Sequence, residues 1–204
     1  MINIGVLASG RGTNLQAIIE AIKEGKIEGR ISIVISDNRN AFALKRAEQN
    51  NIETQYIDFN KFKSREDYDK EIIECLKKKD VDLVVLAGYM RILSSYFIKM
   101  YKNKIMNIHP ALLPSFPGLH VQRKAIDHGV KISGCTVHFV DEGLDSGPII
   151  IQRAVEVKED DIEEALTKRI LKEEHQIYSR AIQLFARGRL MIKGRRVFIK
   201  GKAK

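Results

Sequence analysis

Through the first half of the chain, apolar runs of strand length alternate with stretches whose apolar positions recur every three or four residues. Residues 2–8 (INIGVLA) form one such run. The polar SGRGTN follows, and then Leu15, Ile18, Ile19 and Ile22 recur at helical spacing as far as Gly25. The alternation continues with a strand at 31–35 (ISIVI), a helix over 41–49 and a short strand at 54–57 (TQYI). Ser64 is placed to cap a helix presenting Tyr68, Ile72 and Leu76 on one face, and 81–87 (VDLVVLA) is the most apolar strand of all. GYMRILSSYF reads as a loop running into a helix, and KIMNI (104–108) as the next strand. Strands that are apolar on both faces and separated by helices belong in a parallel sheet covered on each side.

Beyond residue 109 the pattern changes. KISGCTVHFV (131–140) and PIIIQRAVEV (148–157) are consecutive strand-like runs joined by DEGLDSG, which predicts an antiparallel extension. A long amphipathic helix over 161–186 carries Ile162, Leu166, Ile170, Ile177 and Leu184, and RLMIKGRRVFI reads as a terminal hairpin turning at Lys193 and Gly194. The expected fold is α/β, a doubly wound, mostly parallel sheet of Rossmann type with an antiparallel C-terminal extension. The expected organisation is one domain over 1–204: a phosphate-binding half (1–108), a catalytic half (109–190) and a basic terminal hairpin (191–204).

Composition changes this picture little. At 204 residues, 44% hydrophobic and 30% charged, the chain has the balance of a soluble globular domain. No apolar run reaches the ~20 residues of a membrane helix, and the first strand begins too early to leave room for a targeting peptide. The expected location is cytoplasmic, with Cys75 and Cys135 as buried thiols rather than a disulfide. The net charge of +9 raises nucleic-acid binding, but no finger spacing, aromatic RNA-binding run or basic heptad accompanies it. Small anionic substrates fit the charge equally well, and neither nucleic acid nor membrane is the expected partner.

Three segments that follow predicted parallel strands carry the candidate chemistry, because ligands of such sheets sit beyond the carboxyl ends of the strands. In SGRGTN, Gly10 and Gly12 allow close backbone approach, and a helix starting near Thr13 directs its free N–H groups at the loop. That suits a phosphate, although the pattern is neither a dinucleotide fingerprint nor a P-loop. In KIMNIHPALLPSFPGLHVQ, three of the chain's four prolines fall at positions 110, 114 and 117, directly behind Asn107 and His109. Alternation along a strand puts Asn107 and His109 on the same side, and the prolines hold the backbone behind them still. Asp145, in the acidic loop 141–148, is a candidate to orient His109 and favour its imidazolium. His120, His128, His138 and His175 show no metal spacing, and no metal is expected. With no activated nucleophile in view, the group set suggests direct transfer between two bound molecules.

SGRGTNLQAII, VVLAGYMRIL, NIHPALLPSFPGLH and HFVDEGLDSGPIIIQ, in this order, resemble the folate-dependent glycinamide ribonucleotide formyltransferases over residues 2 to about 190. The resemblance implies formyl transfer from 10-formyltetrahydrofolate, as co-substrate, to the amine of 5-phosphoribosyl-glycinamide in purine biosynthesis. The related formyltetrahydrofolate deformylases are the alternative. It further implies that 109–190 is the folate-binding as well as the catalytic half, with Asn107, His109 and Asp145 as the catalytic trio. Gly12, Thr13, Asn14, Gly88, Asn107 and Glu174 would contact the acceptor, and Arg65, Met90, Arg91, Ile92, Leu93, Val140 and Asp141 the folate. Such an enzyme is expected as a monomer or homodimer, and to carry a cis peptide at Leu113-Pro114. One departure stands out: Ser146 occupies a position where the family pattern leads one to expect Gly.

Overall fold

Each apolar run of the first half becomes a strand in the computed structural model, which describes residues 1–201. The chain divides into two units, Met1–Asn107 and Ile108–Lys204. In the first, β1 (Ile2–Leu7), α1 (Thr13–Lys23), β2 (Gly29–Ser36), α2 (Phe42–Gln49) and β3 (Thr54–Tyr56) lead to α3 (Arg65–Lys77). Then come β4 (Leu83–Leu86), α4 (Ser95–Met100) and β5 (Ile105–His109), whose last residues run into the second unit. The strands lie in the order β3-β2-β1-β4-β5, and every pair is parallel. β1 and β4 are the most deeply buried, with Ile4, Val6, Leu7, Leu83, Val84 and Val85 out of contact with solvent. Strand order reverses between these two, and at such a reversal the loops beyond the strands diverge to leave a crevice. Residues 9–12 leave β1 at that point and residues 88–94 follow β4.

Two helices of this unit start at side-chain caps. Ser64 caps α3 by accepting from the Asp67 N–H at 3.1 Å, and Ser94 caps α4 by accepting from the Phe97 N–H at 3.2 Å. The carboxylate of buried Asp69 accepts the Ser94 N–H at 2.6 Å, which ties α3 to the start of α4. Burial raises the Asp69 pKa, and the Ser94 hydrogen bonds oppose that rise.

In the second unit, α5 (Val121–Asp127) precedes β6 (Ile132–Phe139), β7 (Ile149–Glu156), α6 (Glu163–Ala186), β8 (Leu190–Lys193) and β9 (Arg196–Ile199). β6 and β7 are antiparallel, from Ile132 opposite Glu156 to His138 opposite Ile149, with an irregularity at Val137–His138. β8 and β9 form the terminal hairpin, and β9 touches β7 in parallel at Ile149 and Arg196. α6 buries Leu166, Ile170, Ile177, Tyr178, Ala181 and Ile182 along one stripe. The helix α5, only 7 residues long, is absent from the sequence reading; it starts without a side-chain cap from His120, whose φ of 57° is left-handed. The hairpin turns at Gly194 and Arg195, one residue later than its apolar pattern suggests. No helix among the described residues is long and apolar enough to cross a membrane, and both cysteines are free thiols, with burial pushing Cys135 up to about 12.

The approach to α6 is fixed by a two-pronged ion pair. Arg169 donates from Nη1 to Asp161 Oδ2 at 2.8 Å and from Nη2 to Oδ1 at 2.7 Å, while Asp161 also accepts the Lys158 N–H at 2.8 Å. Chiefly through Arg169, the Asp161 carboxyl is held down to about 2. A carboxyl lowered in the folded state stabilises the fold above its unfolded value and loses that contribution as pH falls toward the folded one. Asp161→Asn should therefore melt below the native protein at neutral pH, with a gap that narrows as pH falls from about 5 to about 2. Thermal melts at several pH values check this; a gap independent of pH contradicts it.

Candidate active site

The loop leaving β1 is built by close packing. Gly12 takes a left-handed φ of 69°, and a Cβ there would lie 2.7 Å from the Cα of Ala43. The Ala43 N–H donates to Gly10 O at 3.0 Å, and Arg46 Nε to Arg11 O at 2.9 Å. α2 thus clamps residues 10–12 from behind. Thr13 opens α1, and no side chain caps that N-terminus. The partial positive charge of that helix end suits an anion.

The segment after β4 is fastened to the same loop. Ser9 donates its N–H to Gly88 O at 3.0 Å, and its hydroxyl accepts the Met90 N–H at 3.0 Å. Gly88 has a φ of 73°, which turns the chain sharply out of β4. Phe59, Arg65, Tyr68, Asp69, Met90, Arg91 and Ile92 line an open pocket of about 260 Å³. Of the residues expected to contact folate, Met90 and Ile92 are well exposed, while the Leu93 side chain is buried in the core. Arg91 is held by Asp37, its Nε donating to Oδ2 at 2.7 Å.

β5 carries Asn107, half-buried, and His109, buried, two positions apart and so on one side of the strand. His109 Nε2 lies 2.9 Å from Phe116 O, and its Nδ1 lies 3.4 Å from Asp145 Oδ2. A carbonyl oxygen only accepts, so Nε2 bears a proton. The carboxylate also only accepts, so the imidazolium is the form that satisfies both neighbours. Asp145 itself has a left-handed φ of 49°, and its Oδ2 accepts the Gly118 N–H at 2.9 Å. On its other side, His138 Nε2 is 3.8 Å from Oδ1. Burial lowers the His138 pKa against the opposing pull of the Phe139 carbonyl and of Asp145. Burial thus favours the uncharged form of His138.

The proline loop is pinned from below. Thr136 in β6 accepts the Leu113 N–H at 3.0 Å and donates to Ala111 O at 2.7 Å, while Gln152 Nε2 donates to Leu113 O at 2.8 Å. The Leu113-Pro114 bond is cis, as expected. In the acidic loop, the Ser146 hydroxyl donates to Asp141 Oδ1 at 2.6 Å, and Gly143 N–H donates to the same oxygen at 3.2 Å. Arg195, from the terminal hairpin, donates to Ser146 O at 2.7 Å. Val140 and Asp141 are half-buried at the loop's start, and Glu174 is buried within α6.

Residues 2–182 match the family model described as formyl transferase. The chain belongs to the formyl transferase family. It is 48% identical over 188 residues to the phosphoribosylglycinamide formyltransferase of Escherichia coli K12, covering 92% of this chain and 89% of that one. It also matches the trifunctional purine biosynthetic protein adenosine-3 of Drosophila melanogaster at 47% identity, spanning only 14% of that longer protein. Among solved structures, glycinamide ribonucleotide transformylase 1 from Symbiobacterium toebii superposes with a TM-score of 0.97 at 53% identity, covering 98% of this chain and 95% of that one. A formyltetrahydrofolate deformylase from Pseudomonas syringae superposes at 0.91 but with 26% identity, and this chain covers 66% of it.

Within this formyl transferase, the structure brings His109 and Asp145 together, sets Asn107 beside His109 on one strand, and gathers Arg65, Met90, Arg91 and Ile92 around one pocket. Sequence reasoning passed over His138, Asp37 and Phe59. His138 looked like one more dispersed histidine, and its position in an alternating strand opposite the 148–157 run was the signal available. Asp37 lies just past a strand, and nothing local marks its pairing with a residue 54 positions away.

Proposed function

We propose that this formyl transferase passes the formyl group of 10-formyltetrahydrofolate to the amine of 5-phosphoribosyl-glycinamide in purine biosynthesis. The observation that carries this reading is His109 held between a carboxylate and a carbonyl, with the Asn107 amide two positions along the same strand. The glycinamide nitrogen attacks the formyl carbon, and the carbonyl oxygen becomes an oxyanion. Asn107 and the His109 imidazolium donate to it, each such donor contributing about 3 kcal/mol in comparable sites. The oxyanion competes with the neutral Phe116 carbonyl for the Nε2–H, and a charged acceptor makes the stronger bond. Collapse breaks the bond from carbon to the folate nitrogen. His109 delivers a proton to that nitrogen, and the amine proton of the new amide returns to His109 directly or through water. Asp145 holds the ring and its charge throughout.

Gly12, Thr13, Asn14 and Gly88 serve the acceptor in this reading, the first three at its phosphate, and Glu174 its ribose. Arg65, Met90, Arg91, Ile92, Leu93, Val140 and Asp141 serve the folate. The pocket's chemistry supports its share of this: two guanidinium groups among aromatic and apolar walls suit an aryl group that carries carboxylates.

Loss of formyl-folate, followed with and without phosphoribosyl-glycinamide, tests the proposal. Turnover is expected only with the acceptor present, whereas a deformylase consumes the donor in water alone. Thr13→Ala should raise KM for the acceptor by about tenfold and leave KM for the donor within about twofold, as expected for loss of one phosphate hydrogen bond. Gly12→Val is the poorer probe, because its side chain meets the Ala43 backbone as well as any phosphate.

A further inference from the structure

Asp37, just past the end of β2, has no part in the roles assigned above, yet its side chain is 90% buried, with 10% exposed. Its Oδ2 accepts from Arg91 Nε, and its Oδ1 is buried with no hydrogen-bond partner among the described residues. The Arg91 guanidinium lies over the Phe59 ring at 3.9 Å from the centroid, with the Tyr68 ring centroid 5.9 Å away. A guanidinium gripped by its Nε edge and stacked on one face has little freedom left. No hydrogen bond from either Nη group to the described residues is present, so these remain for a ligand.

We propose that Asp37 is a positioning residue for the formyl donor: it fixes Arg91 so that the Nη edge meets the anionic glutamate tail. The inference rests on the reading of the Arg65–Arg91 pocket as the donor's. Two effects of Asp37 oppose one another. Its negative charge offsets the field of Arg91 and so weakens general attraction for an anion. Its acceptor oxygen orders the guanidinium and so strengthens a directed, two-pronged contact. The two are separable, because an amide in place of the carboxylate keeps the acceptor and removes the charge.

The test measures KM for a donor with the glutamate tail and for one cut back to the pteroate. With the tailed donor, Asp37→Ala should raise KM about 5- to 20-fold, the loss of one charge-assisted hydrogen bond's worth of ordering. Asp37→Asn should leave that KM unchanged or lower it up to about threefold, more so at low salt where the added net charge is less screened. With the tailless donor both variants should stay within about twofold of native, as should kcat and KM for the acceptor. Thermal melts report on folding, and Asp37→Asn keeps the side-chain shape should the alanine variant unfold. If both variants tighten the tailed donor, Asp37 acts by charge alone and the inference falls. It falls also if Asp37→Ala weakens both donors alike. Arg91→Ala separates the underlying reading: no effect on either donor sinks the pocket assignment itself, whereas a tail-specific effect there with none from Asp37→Ala sinks only the positioning role.

Discussion

His109→Ala is expected to lower kcat by about two to three orders of magnitude, the loss typical of removing one preorganised oxyanion donor and its proton. Asn107→Ala should cost a similar factor through the donor alone. KM for either substrate should change far less, since the interaction forms chiefly as charge develops on the formyl oxygen. The two variants differ in folding. His109 is 4% exposed and contacts Phe116 O and Asp145, so its removal takes the donor from a carbonyl and one charged contact from a carboxylate that keeps the Gly118 N–H. That costs about 1–3 kcal/mol of stability. Asn107 is half-buried, and its truncation is the milder change. Steady-state kinetics on variants shown folded by circular dichroism check both, and near-native turnover in a folded His109→Ala protein would remove the mechanism.

Asp145→Asn should lower kcat by about two orders of magnitude, with KM for either substrate changed far less. The sign follows from the neighbours. The carboxylate sits 3.4 Å from His109 Nδ1 and stabilises the ring's positive charge; the amide keeps the size but not the charge. On the other side, burial favours the uncharged form of His138. Without the Asp145 charge the positive ring beside the developing oxyanion loses its counter-ion. Steady-state kinetics of both proteins, each shown folded, are the measurement. Near-native turnover in a folded Asp145→Asn protein would mean that Asp145 acts by placement, through its Gly118 contact, and that its charge is irrelevant.

The strands that define the parallel sheet were plain in the sequence because a strand buried on both faces is a short, uniformly apolar run. β1, β2, β4 and β5 all read that way. The chemistry-bearing loops were legible for a related reason: glycines at 10 and 12, and prolines at 110, 114 and 117, mark backbone that departs from regular structure. What stayed hidden were contacts across large sequence separations. Asp37 reaching Arg91 and Arg195 reaching the Ser146 carbonyl depend on how strands are ordered, and a single sequence does not encode that locally. The burial of His109 under the folded-back proline loop is a contact of the same hidden kind. α5, only 7 residues long and entered through a left-handed His120 without a side-chain cap, was missed as well.

Ser146 and Gly143 are locked together in a way that bears on the order in which such a loop can change. A Cβ at position 143 would lie 2.1 Å from the Ser146 hydroxyl oxygen, which in turn holds Asp141 at 2.6 Å. Any side chain at 143 must therefore displace that hydroxyl and break a charge-assisted hydrogen bond worth about 1.5–3 kcal/mol. With glycine at 146 the obstruction is gone, and 143 is free to carry almost any residue. The two positions thus form an epistatic pair, in which serine at one demands glycine at the other. A lineage moving between the two arrangements passes most easily through the doubly glycine loop, the least ordered of the intermediates, and least easily through the one in which both positions carry side chains.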